Sequence, residues 1–76
     1  MTPREAVLEV LRGADEPLHW TVVQDRALRQ GLIDPFVVRD VRGEVQRALR
    51  ALAADGEIER RGKGVYALGG GTGSPG

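Results

Sequence analysis

Cysteine is absent from the 76 residues, which excludes a disulfide framework, a thiolate zinc site and a cysteine nucleophile. Histidine occurs once, at His19, without a nearby carboxylate pair, a poor ligand set that reads as structural. No stretch reaches the ~18 consecutive apolar residues of a membrane span. The first residues lack the basic-then-apolar layout of a secretory leader. The expectation is a cytoplasmic protein with no membrane partner. Aromatics are as scarce, with one Trp, one Tyr and one Phe. Trp20 and Tyr66 are expected to pack in the core and on a hairpin rather than to stack on bases.

An excess of charge of one sign is also missing, 11 basic residues standing against 11 acidic ones. The acidic residues are scattered among bases, so a paired-carboxylate active site is not expected. The glycines near the end have neither a following helix nor a Lys-Ser/Thr pair, which excludes a phosphate loop. The chain therefore reads as a binding module without enzymatic activity, cofactor, metal or small-molecule substrate. So short a domain buries only about 60% of its unfolded surface, and modest stability is expected.

What is present is strong helical punctuation. Asp40 can cap a helix whose apolar residues Val41, Val45, Ala48, Leu49 and Leu52 follow the spacing of one buried face. Gly56 is suited to close it in a left-handed conformation. The other faces carry Arg42, Gln46, Arg47 and Arg50, with Gly43 leaving a shallow spot. Nearer the start, Thr2 and Glu5 form a capping box around Pro3. Ala6, Val7, Val10, Leu11 and Ala14 make the inner face of that first helix, which ends at or near Gly13. Asp15-Glu16-Pro17 is a turn, and Leu18-His19-Trp20 a short extended segment. Thr21 and Gln24 look like a second capping box, opening a helix with Val22, Val23, Ala27 and Leu28 inward and Gly31 as its stop.

Between the second and third helices, residues 32–38 are apolar and contain the Asp34-Pro35 turn signal. Leu32, Ile33 and Phe36 are expected to plug the core, in a plain turn or a short helical turn from Pro35. After Gly56 the period falls from helical to two. Residues 57–61 and 65–68 read as strands around Gly62-Lys63-Gly64, a β-hairpin with Ile58, Tyr66 and Leu68 inward and Arg60, Arg61 and Lys63 at its tip. Residues 69–76, five of them glycine, are expected to be a disordered tail.

The order helix, short strand, helix, helix, hairpin resembles the winged helix-turn-helix, an α+β fold. Ala6-Val7, Val10-Leu11, Pro17-Leu18-His19-Trp20, Gly31-Leu32-Ile33 and Gly62-Lys63-Gly64-Val65-Tyr66-Ala67-Leu68 are similar to the HARE-type winged helix of restriction endonucleases and the RNA polymerase delta subunit. The likeness covers residues 2–68, so residues 1–68 are taken as one domain. It departs from the family pattern where Asp40-Val41 stands in place of Thr-Pro. The resemblance implies nucleic-acid binding or docking to a partner of a DNA-handling machine.

Two functions from different classes remain. In the preferred one, the module binds double-stranded DNA in transcriptional regulation or targeting. Arg42, Gln46, Arg47 and Arg50 enter the major groove, and Arg60, Arg61 and Lys63 grip phosphates. Residues 39–63 hold seven basic and five acidic residues, a local +2 that favours it. In the alternative, segment 32–38 docks on a protein partner or a second copy, which overall neutrality favours. A positive stripe from helix to hairpin tip would support the first reading, and an exposed apolar patch at 32–38 the second.

Overall fold

Residues 1–69 are described by the computed structural model. They form α1 (Pro3–Arg12), β1 (Leu18–His19), α2 (Trp20–Arg29), α3 (Val41–Ala54), β2 (Ile58–Gly62) and β3 (Val65–Leu68). The three strands pair antiparallel in the order β1-β3-β2. Three helices against a three-stranded antiparallel sheet make a small α+β unit, consistent with a winged-helix-like layout. The seven residues after Gly69, which hold most of the expected tail, lie outside the described residues. Gly69 itself belongs to the folded part, because it is buried and donates its N–H to the Glu57 carbonyl at 2.9 Å.

Local chemistry accounts for the helix ends. Thr2 and Glu5 exchange both bonds of the capping box, and Asp40 Oδ1 accepts from the Gly43 N–H at 3.0 Å, each satisfying a first-turn donor that has no helical partner. Just past α3, Gly56 takes a φ of +82°, a left-handed conformation that is costly for residues with a Cβ. The second helix departs from expectation. It begins one residue before Thr21, and its cap is His19, whose Nδ1 accepts from the Thr21 N–H at 3.3 Å. No Thr21–Gln24 box forms, and Gln24 Oε1 is buried without a hydrogen-bond partner.

The core is wholly apolar and gathers around α3. Val45, Ala48, Leu49 and Leu52 meet Ala6, Val7, Val10 and Leu11 of α1, Val23 and Ala27 of α2, and Leu18, Ile33 and Ile58 from the sheet and loops. Val41 and Ala14 are half-buried at its margin. Three assignments fail. Val22 is turned outward, since the buried row of α2 runs Val23 to Ala27 and cannot include its neighbour. Leu68, the last residue of β3, is 44% exposed although it pairs with Ile58, and it lines the open clefts beside α1 rather than the core. Phe36 does not plug the core but is 95% exposed, with Val37 at 75%.

The cause of the last failure is local. Asp34 Oδ1 accepts from the Phe36 N–H, and the Asp34 carbonyl accepts from Val37 and Val38. This single helical turn carries Phe36 away from the body, while Ile33 alone fills the space below and Leu32 is half-buried beside it. Across the molecule, Arg4 bonds Asp55 and Glu57, tying the start of α1 to the α3–β2 junction. These groups are solvent-exposed, so the pairs are secondary to the core in stability.

Leu49→Ala and Leu52→Ala should each cost roughly 2–5 kcal/mol in urea unfolding, because each leaves a cavity in a fully packed centre. Phe36→Ala should move the same transition by no more than about 0.5 kcal/mol. A large loss on truncating Phe36 would place that ring inside after all.

Candidate nucleic-acid interface

The outward surface of α3 divides into two rows of opposite character. Arg42, Gln46 and Arg50 are spaced i, i+4, i+8 and so stand one above another, with no acidic residue among them. Asp40, Glu44 and Arg47 occupy the neighbouring row. There Arg47 donates to Glu44 Oε2 at 2.8 Å and lies 3.9 Å from Asp40. The bond to Glu44, then the charge of Glu44, raises the Arg47 pKa above its ordinary value. That contribution would be lost only as pH rises through the raised pKa, far above neutrality, so Arg47 stays charged and paired throughout the working range. The four expected α3 residues thus do not act alike. Three form an acid-free row, while Arg47 is engaged within the protein.

The hairpin differs in detail from its expected form. Its strands are joined by the two-residue turn Lys63-Gly64 rather than a three-residue loop. The pairing is irregular between Arg60 and Gly62, leaving Arg61 as the extra residue. Arg60, Arg61, Gly62 and Lys63 line a shallow cleft at the tip. Arg61 leans on Glu59 at 3.5 Å. Among the described residues Arg60, Lys63, Arg50 and Arg42 take part in no ion pair, so these four cations are available to an external anion.

What joins the helix to the hairpin is Trp20. Its backbone N–H donates to the Gly64 carbonyl at 2.8 Å, which anchors the turn to the start of α2. Gly64 has a φ of +71°, and a Cβ there would come within 3.1 Å of both Trp20 Cδ1 and His19 Nε2. Only glycine lets the turn close down on these rings. On α3, the Arg42 guanidinium lies 5.1 Å from the centre of the Trp20 ring, a cation–π arrangement of about 0.5–1 kcal/mol at an exposed site. The His19 and Trp20 rings are 5.8 Å apart, centre to centre. The acid-free row of α3 therefore starts beside the turn that carries Lys63.

Sequence reasoning missed this junction. It treated His19 and Trp20 as packing residues, and Trp20 does pack against the core while half-exposed. The one signal was the glycine at position 64 following Lys63, whose tight fit depends on residues distant in the chain. Among the described residues no helix is long and apolar enough to cross a membrane, and no cluster of His, Asp and Glu could hold a metal ion. No family model matches the chain, and neither a curated protein nor a solved structure matches it.

Proposed function

We propose that the protein is a winged helix-turn-helix module of the HARE type that binds double-stranded DNA, in transcriptional regulation or the targeting of a DNA-handling machine. In this reading α3 enters the major groove and the β2–β3 hairpin is the wing on the flanking phosphates. The observation that carries it is the acid-free row Arg42, Gln46 and Arg50, which starts beside the Lys63-Gly64 turn through Trp20. Arg50 and Gln46 are the side chains best suited to base edges, being free of internal ion pairs on that row. Arg47 contributes less, since Glu44 competes for it. Arg60, Arg61 and Lys63 supply sequence-independent contacts to phosphate.

With few contacts the monomer should bind duplex at about 10⁻⁴–10⁻⁶ M, with specificity needing a second copy or a fused domain. Three to four neutralised phosphates give a log–log salt slope of roughly −3 to −4. Replacing Arg60, Arg61 and Lys63 by Ala should weaken all sequences alike and flatten that slope, whereas Arg50→Ala or Gln46→Ala should alter preference among sequences. Anisotropy titrations of labelled duplexes across salt concentrations read both effects. Glu44→Gln, which removes the competitor for Arg47, should raise low-salt affinity by about 2–5-fold. An unchanged or lower affinity would mean that Arg47 does not face the duplex.

A second reading rests on Phe36 and Val37, a locally hydrogen-bonded apolar knob that no described residue covers. Such a knob suits docking on a protein partner or a second copy. If the parent binds no duplex at about 50 mM salt and high micromolar protein, this reading replaces the first. Parallel capture from genomic fragments and from lysate, by the parent and by Phe36→Ser, then tests it. A protein retained by the parent but lost from Phe36→Ser is the expected result, and equal retention by both rejects the knob.

A further inference from the structure

The junction of α2, α3 and the wing turn collects hydrogen-bond donors with no acceptor to match them. The Arg42 guanidinium lies over the Trp20 ring without a carboxylate partner among the described residues. Trp20 Nε1 makes no hydrogen bond among the described residues, yet is not buried, so its N–H reaches the surface. On His19, Nδ1 is occupied as an acceptor for the Thr21 N–H and lies 2.8 Å from Thr21 Oγ1. With Nδ1 accepting, the ring N–H is on Nε2, beside Gly64. Lys63 adds a cation on the same turn. Asp40 and Glu44, the acids nearest to Arg42 in the chain, are both turned toward Arg47, and Asp40 also accepts from the Gly43 N–H.

The geometry points to a phosphate-binding notch formed by Arg42, the Trp20 indole N–H and His19 Nε2–H, which takes a phosphodiester oxygen of the DNA backbone where helix and wing meet. The inference rests on the DNA-binding reading and changes one role within it. Arg42 is a backbone anchor and not a base reader. Stacking on Trp20 restricts the guanidinium before DNA arrives, so less freedom is lost when it meets a phosphate. Gly64 is the positioning residue, because a side chain there would push the turn off both rings. Side chains of β1, α2 and α3 thereby share one phosphate beside the wing turn, which fixes how α3 sits on the duplex.

The test uses the full chain, duplex titrations across salt concentrations, and a separate titration with inorganic phosphate. Arg42→Ala should weaken every duplex by a similar factor, roughly 3–10-fold at low salt, and lower the steepness of the log–log salt dependence by about 1. Trp20→Phe keeps an aromatic platform but removes the N–H, and should cost about 2–5-fold without altering sequence preference. If Trp20→Phe melts below the parent, Arg42→Ala decides alone, since Arg42 is exposed. Added inorganic phosphate should shift the Trp20 indole N–H resonance in the parent and not in Arg42→Ala. A parent that binds duplex while Arg42→Ala keeps the same slope, or changes only the sequence ranked first, overturns the notch and leaves the DNA reading standing. A parent that binds no duplex but shows the Arg42-dependent phosphate shift keeps the notch and removes the DNA reading. Absence of both overturns both.

Discussion

Burial of one face of α3 is the constraint from which the rest of the structure follows. Val45, Ala48, Leu49 and Leu52 are the only residues of that helix that are fully enclosed, and they touch elements from both ends of the chain. At roughly 25 cal/mol per Å² of apolar surface, a stripe of this size is a large share of what so short a chain can gain. Once the stripe points inward, helical periodicity leaves no choice about the other faces. The row Arg42, Gln46, Arg50 and the row Asp40, Glu44, Arg47 must both lie outside. The core thus sets the orientation of the candidate interface without using any residue of it.

That dependence also explains what could be read in advance and what could not. The inner faces of α1 and α3, the Thr2 and Asp40 caps and the glycine stop at position 56 were legible, because each is written in residues within a few positions of one another. The start of α2 was misread because histidine is outside the usual capping set of Ser, Thr, Asp and Asn, although His19 Nδ1 can accept as their oxygens do. Phe36 was placed inside on hydrophobicity alone. In an irregular loop there is no period to say which way a side chain points, and the Asp34 bonds turn it out. The junction of His19, Trp20, Arg42 and Gly64 was illegible for a different reason. Its members lie on β1, α2, α3 and the β2–β3 turn, and no local spacing relates the His19-Trp20 pair to Arg42 or Gly64.

The separation of charges within α3 bears on how the surface can work. In sequence the outer faces of the helix read as one set of cationic and amide side chains, yet the two outward rows differ sharply. On one, Glu44 and Asp40 satisfy Arg47. On the other, Arg42 and Arg50 meet no carboxylate among the described residues. An internal pair must be broken before its arginine can serve a phosphate, and the ligand gains only the difference between the two interactions. An unpaired arginine gives the whole of its interaction. Counting basic residues therefore overstates the interface, and the row that is free of acid defines it better.

A net charge of zero then stops being an objection to a polyanionic partner. The acidic residues Glu5 and Glu9 belong to α1, and α1 packs on the buried face of α3. The outer surfaces of two packed helices are separated by about 20 Å, given an interaxial distance of ~9 Å and helix diameters of ~10 Å. The Debye length is about 10 Å at 0.1 M salt. A phosphate lying against Arg42 is therefore largely screened from those carboxylates, whereas Asp15 and Glu16 share a cleft with Arg61 and stay close to the wing. At very low salt the screening fails, the whole chain presents itself as neutral, and long-range attraction to DNA is weak. Balanced charge of this arrangement limits how fast such a protein is drawn to a duplex far more than it limits what the contact is worth once made.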